Sequence, residues 1–157
     1  MREIFKHLTV VLHNVTSVHR VIEIVRLCIA FSCPNMVIIR PTGAAAQQGI
    51  PEAFKIAIKE NLNISILSEL KDLKEVLNIS KIYFLTTSEG EELEKHIKDM
   101  VRELKNGEKI ALVVHGQDLP FLPREIQLGI PIKIFNKLAP ATSLLSIVLW
   151  ELCKEST

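Results

Sequence analysis

Six short runs constrain this chain more than any other feature: LTVVLH (8–13), MVIIR (36–40), ISIL (64–67), KIYFLT (81–86), KIALVV (109–114) and IPIKIF (130–135). Each is apolar with almost no interruption. A strand with one wet face alternates apolar and polar residues, whereas a strand covered on both faces does not. Between the runs lie stretches with helical spacing at roughly 17–32, 50–61, 68–77, 89–106 and 139–154. Strands alternating with helices in this way predict an α/β fold, a mainly parallel sheet with helices on both faces. Such sheets bind ligands beyond the carboxyl ends of their strands. No repeat, low-complexity tract or linker interrupts the pattern, so residues 1–157 read as one domain.

Two helical stretches carry more apolar surface than one sheet face needs. In the first, Val18, Val21, Ile22, Val25 and Ile29 form one apolar side, and Ile24, Leu27 and Phe31 a second. The last, ATSLLSIVLWELCK, is apolar nearly all round. Both predict packing beyond their own sheet, most simply in a homodimer, with a fully internal C-terminal helix as the alternative. The weakly charged run from Leu138 to Trp150 is too short to cross a bilayer and contains Pro140, so no membrane span is expected. The charged N-terminus lacks a signal-peptide pattern. Cys28, Cys33 and Cys153 are odd in number without a C-x-x-C pair, which favours a reduced, cytoplasmic setting.

The net charge of +1 makes no global case for nucleic acid. Residues 1–60 hold seven Lys/Arg against four Asp/Glu, while residues 61–108 hold seven against ten, so an anionic partner would favour the N-terminal third. In PTGAAAQQGIPEAF (41–54), Gly43 and Gly49 bracket small and amide residues, including Gln47 and Gln48, that suit close approach to a ligand edge. It is neither a dinucleotide fingerprint nor a Walker loop. His13, His19 and His115 lack metal-ligand spacing, so no metal site is expected. A RecB-type nuclease needs an Asp followed by Glu-x-Lys on neighbouring strands. Here Glu69-Leu70-Lys71 and Glu103-Leu104-Lys105 both precede Asp118 and both fall in helical patterns, so order and elements argue against it.

The C-terminal third resembles the SPOUT (SpoU-type) RNA methyltransferases, whose motifs are a strand ending in Gly-Ser-Glu-Gly and an Ile-Pro-Met loop leading to Ser-Leu-Asn. IALVVHGQDLPFLPREIQLG (110–129) places Gly116 and Asp118 on the first, and IPIKIFNKLAPATSLL (130–145) places Ile130 and Ser143-Leu144 on the second. RVIEIVR (20–26) is similar to the family's first motif, with Arg26 on its catalytic Arg. The whole chain resembles more closely a group of small, chiefly archaeal SPOUT-like proteins often labelled RecB-family nuclease, through HNVTSVHR (13–20) and GAAAQQGIPEAF (43–54). The resemblance implies a deep C-terminal trefoil knot and S-adenosylmethionine held by His115, Gly116, Gln117, Asp118, Leu128, Gly129, Ile130, Leu138, Ser143 and Leu144. It implies Arg26 as catalytic, RNA (tRNA or rRNA) as substrate, and ribose 2′-O methylation as the reaction. Asn14, Arg20, Gln47 and Gln48 are the expected substrate contacts. Three positions depart from the family: Arg20 for Asn, Asp118 for Glu and Leu145 for Asn. They leave open a catalytically inactive RNA- or nucleotide-binding protein, with a metal-dependent nuclease a distant third.

Overall fold

The computed structural model describes residues 3–157. A short 3-10 turn (Glu3–Phe5) precedes β1 (Leu8–His13), α1 (Val18–Ala30), β2 (Asn35–Ile39), α2 (Ile50–Glu60) and β3 (Asn63–Leu67). Then follow α3 (Asp72–Glu75), β4 (Lys81–Thr86), β5 (Glu91–Glu92), α4 (Ile97–Lys105), β6 (Ile110–His115), α5 (Pro123–Ile126), β7 (Ile130–Lys133) and α6 (Ala141–Glu155). The seven strands form one sheet in the order β3-β2-β1-β6-β4-β7-β5, and every pairing is parallel. All side chains of β1 and β6 are buried, as uninterrupted apolar runs require.

Crossover handedness explains why the helices are unevenly shared between the faces. Steps toward the β3 edge (β1 to β2, β2 to β3, β4 to β6) carry α1, α2 and α4, and right-handed crossovers place all three over one face. Their apolar sides join Leu8, Val10, Leu12, Leu112 and Val114 in one core, which α6 completes. The opposite steps, β3 to β4 and β6 to β7, must cross the other face. They contain only the single turns α3 and α5, so Val11, Val37, Phe84 and Val113 are covered there by Leu70, Leu73, Phe121 and neighbouring loop residues. Helices therefore stand on both faces, but on one of them they are only the single turns α3 and α5, and loops complete the roof.

Other expectations shift for local reasons. The stretch 89–106 is α-helical only from Ile97, after a 3-10 turn at Leu93–Lys95, because Gly90 sits at φ 92 with no room for a Cβ against the Pro131 carbonyl, and Glu91–Glu92 pair with β7. The 68–77 stretch yields one turn, α3. GAAAQQG is not an open loop: Ala45–Gly49 form a π-helical turn docked on the β1–α1 loop through Ala45 N–H to the Thr16 carbonyl. Most of the excess apolar surface of α6 is taken up within the chain, where Leu144, Leu145, Val148, Leu149, Leu152 and Cys153 are buried. Trp150 alone among its large apolar side chains stays exposed, at 57%. No helix among the described residues is long and apolar enough to cross a membrane.

Candidate functional site

The centre of the sheet, where β1 and β6 lie side by side, ends in a register-matched pair of histidines, His13 and His115. Gly116 follows directly, and a Cβ there would fall 2.6 Å from Val15 Cβ and 2.8 Å from the Asn14 carbonyl oxygen. Only glycine lets the β6 loop pass so close under the β1 loop. Gly129, before β7, is bound in the same way, since a Cβ would stand 2.2 Å from the Ile82 carbonyl oxygen. These two positions fix where the segment between them can lie.

Within that segment Asp118 is the organising residue. It adopts φ 57, a conformation few non-glycine residues take but that Asp tolerates better than most. Its carboxylate accepts two hydrogen bonds from Arg20, at 2.7 and 2.9 Å, and a third from the Ala141 N–H at 2.8 Å. Asp118 thus ties α1 to the first turn of α6. Burial works against its charge, but the Arg20 and Ala141 donors outweigh burial and hold its carboxyl below the usual carboxylate range. Two of the departures from the SPOUT pattern, Arg20 and Asp118, are therefore each other's partners. Arg20 also donates to the Gly116 carbonyl at 3.4 Å, which leaves its guanidinium committed to the loop rather than open to a substrate.

A cleft opens at this edge between the segment after β4, the Gly116 loop and the start of α6. Leu85, Phe121, Ile126, Leu138 and Leu144 supply apolar walls; Thr86, Thr87, Ser88, Glu89, His115 and Asp118 supply polar groups. The Thr86 hydroxyl donates to the Glu89 carbonyl at 2.6 Å, which folds the β4 loop back on itself. The Gln117 N–H donates to His115 Nδ1 at 3.0 Å, so the neutral ring carries its proton on Nε2. Burial, assisted by the neighbouring His13, lowers the His115 pKa. His13 is likewise lowered by burial, although its Nε2 lies 2.6 Å from the Glu125 carboxylate.

The sequence-derived residues separate into groups. His115, Asp118, Leu138 and Leu144 line the cleft. Gly116, Gly129 and Ile130 shape its frame from the backbone. Gln117 turns away and donates to both oxygens of Asn14, at 3.2 Å, so those two residues hold each other outside the cleft. Leu128 packs beneath the loop-covered face, and half-buried Ser143 does not reach the cleft wall. Gln47 and Gln48 face solvent on the π-helical turn. Arg26 is exposed, six residues beyond Arg20 and so two-thirds of a turn around α1 from the side that meets Gly116. The sequence reading missed Thr86 to Glu89, Phe121 and the His13–Glu125 pair. Thr86-Thr87-Ser88, a polar run closing an apolar strand, was the available signal.

The nuclease pattern can be followed residue by residue. Glu103 is buried in α4, where it accepts from the Tyr83 hydroxyl at 2.6 Å and pairs with Lys81. Glu69 and Lys71 pair with each other at 3.4 Å. Neither triplet lies on a strand, and Asp118 is already held by Arg20. Among the described residues no group of three or more His, Cys, Asp or Glu is placed to hold a metal ion.

A family model described as RecB-family nuclease (DUF2122) matches residues 43–151. A candidate type II restriction enzyme of Methanocaldococcus jannaschii is 30% identical over 156 residues, covering 99% of each chain. A second, from Aeropyrum pernix, is 37% identical over 83 residues, about half of each chain at 53%. Solved structures point elsewhere. A candidate methyltransferase of Bordetella pertussis Tohama I superposes with a TM-score of 0.79 at 15% identity, covering 100% of both chains. The SpoU methyltransferase AviRb of Streptomyces viridochromogenes gives 0.71 at 12% identity over 99% of this chain and 61% of its own. A structure concerned with 2-OH methylation of C/U34 on tRNA gives 0.71 at 14%, covering 94% and 95%. At such identities the likeness shows the fold, and that fold is the one shared by the SpoU-type methyltransferases.

Proposed function

We propose that this chain, which belongs to the family described as RecB-family nuclease (DUF2122), is an S-adenosylmethionine-dependent RNA methyltransferase directed at a ribose 2′-oxygen. The observation that carries this reading is the cleft at the carboxyl ends of β4 and β6, closed by the Arg20–Asp118–Ala141 tie. Its lining combines apolar walls with a few placed polar groups, the mixture that ligand clefts carry. The cofactor fits the residues present. Gly116 and Gly129 let backbone approach closely, the His115 Nε2–H borders the cleft, and Glu89 can meet a ribose hydroxyl or an ammonium group. Bound there, the sulfonium would supply an electrophilic methyl group. A trefoil knot formed by the segments after β6 and β7 belongs to the same reading, supported by the meeting of Asp118 with the first turn of α6.

Arg26 is the group we assign to stabilise the developing alkoxide, since it makes no ion pair among the described residues while Arg20 is committed to Asp118. Pointing away from its own Gly116 loop, Arg26 reaches a reacting oxygen only if a second copy of the chain meets it across α1. That requirement, with exposed Trp150 on α6, supports a homodimer through the first and last helices. The test is transfer of labelled methyl to RNA from the same organism. Arg26→Ala should abolish transfer while leaving cofactor affinity within about twofold, a difference of about 0.4 kcal/mol; equal activity would remove Arg26 from the mechanism. The alternative of a binding protein without catalysis rests on the Leu145 departure, which puts a buried Leu where the family has an amide. It predicts cofactor binding with no transfer to any RNA.

A further inference from the structure

We propose a second ligand site on this chain, a cleft for phosphate, free or carried by a nucleotide, at the carboxyl ends of β1, β2 and β3. In an open parallel sheet the crevice that favours ligands lies where successive crossovers leave in opposite directions. Here that point is between β1 and β6, because β1 steps to β2 on one side and β6 to β7 on the other. The cofactor cleft lies to the β4 side. The second cleft lies to the β2 side, and the Phe121–Leu128 segment is the wall between them, with Phe121 and Ile126 facing one and Arg124, Glu125 and Leu128 facing the other.

Three cations converge on this second cleft from three different loops: Arg40 after β2, Lys71 after β3 and Arg124 at α5. Arg40 is held at φ 54, which turns it out of the strand direction, and its Nε donates to the Ser68 carbonyl at 3.2 Å. Glu69 stands 3.7 Å from Arg40 and 3.4 Å from Lys71, so one carboxylate is shared by two cations. The Arg124 guanidinium has no partner among the described residues. Glu125, the other acid at the cleft, is occupied by His13. Independently, His13 is 2% exposed, lines the cleft floor, and its Nδ1 has no hydrogen-bond partner. A buried polar atom left so costs about 1–3 kcal/mol unless something from outside the chain satisfies it. Because His13 Nε2 donates to Glu125, its Nδ1 is an acceptor that a ribose hydroxyl or the hydroxyl of a protonated phosphate can meet, while the phosphate oxygens accept charge-assisted hydrogen bonds from Arg. Leu70 and Leu128 flank the cations and give a base or ribose an apolar surface.

The site is tested without S-adenosylmethionine, by titrating isotopically labelled full-length protein with inorganic phosphate and, separately, with adenosine 5′-monophosphate, following backbone amide resonances. Saturable shifts are expected at residues 69–71 and 124–128 with both ligands. A tighter constant for the nucleotide identifies a nucleotide as the source, and equal constants identify free phosphate. Arg124→Ala removes an exposed, unpaired side chain and so leaves the fold intact; it should weaken binding about tenfold, equivalent to about 1.4 kcal/mol. Arg40→Ala should weaken it comparably. Affinity for S-adenosylhomocysteine should not change in either variant, which separates this site from the cofactor cleft. Absence of saturable shifts at those residues, or shifts that both variants leave unaltered, would overturn the proposal.

Discussion

Removing the partnership between Arg20 and Asp118 is the perturbation whose outcome follows most directly from the geometry. The two side chains are 16% and 26% exposed, between the limits for which costs are known. Breaking a fully buried ion pair costs about 3–5 kcal/mol, and an exposed pair is worth about 0.2–1 kcal/mol. A bidentate pair at this depth should therefore cost about 2 kcal/mol when Arg20→Ala strands the carboxylate with only the Ala141 N–H. For a domain of this size, that lowers Tm by roughly 4–8 °C. Asp118→Asn tests the charge more cleanly, because an amide keeps the shape and the tolerance of positive φ. The assay is a double-mutant cycle by thermal or urea unfolding, with Arg20→Ala, Asp118→Asn and both together. Since each single change breaks the same contact, the double variant should cost about 1–2 kcal/mol less than the sum. Additive costs would show that the two residues do not support each other and would remove the tie that closes the cleft.

Other changes follow from the same structure. Gly116→Ala drives a Cβ to within 2.6 Å of Val15 and should cost about 1–3 kcal/mol in urea unfolding while weakening S-adenosylhomocysteine binding in calorimetry. Tyr83→Phe leaves one oxygen of buried Glu103 without its donor and should cost about 1–3 kcal/mol, with no change in cofactor affinity. Stability should fall with acid in two stages, measured as Tm against pH. His13 and His115 have folded pKa values depressed by burial, so the unfolded chain binds more protons as pH drops below about 6.5 and stability declines there. For Asp118 and Glu125, burial is outweighed by the hydrogen bonds each accepts, so their folded pKa values are also depressed. Their contribution is complete above about pH 4.5 and is lost as pH falls through the folded values.

Much of the fold was legible because buried parallel strands announce themselves. The runs 8–13 and 81–86 are strands to the residue, and the apolar last helix is α6. What escaped were elements without a periodic signal. Glu91–Glu92 is two acidic residues whose strand character comes only from the β7 backbone beside them. The loop-roofed face follows from the direction of each crossover, which depends on strand order and not on local composition. At the site, Gly116 and Asp118 were found through the motif they sit in, but the contact between Asp118 and Arg20 was not. Arg20 and Asp118 each looked like a loss when taken singly, and pairing across 98 residues turned two departures into one contact. The His13–Glu125 pair spans 112 residues and carries no local spacing that a linear reading can detect.

Whether the cleft beside Gly116 holds the methyl donor is the claim on which the rest depends. Calorimetric titration of the intact protein with S-adenosylmethionine and its demethylated product addresses it directly. Saturable binding, lost in Gly116→Ala and retained in Arg26→Ala, is the result this structure predicts. No heat and no thermal stabilisation at millimolar ligand, together with metal-dependent cleavage of nucleic acid abolished in Asp118→Asn, would contradict it.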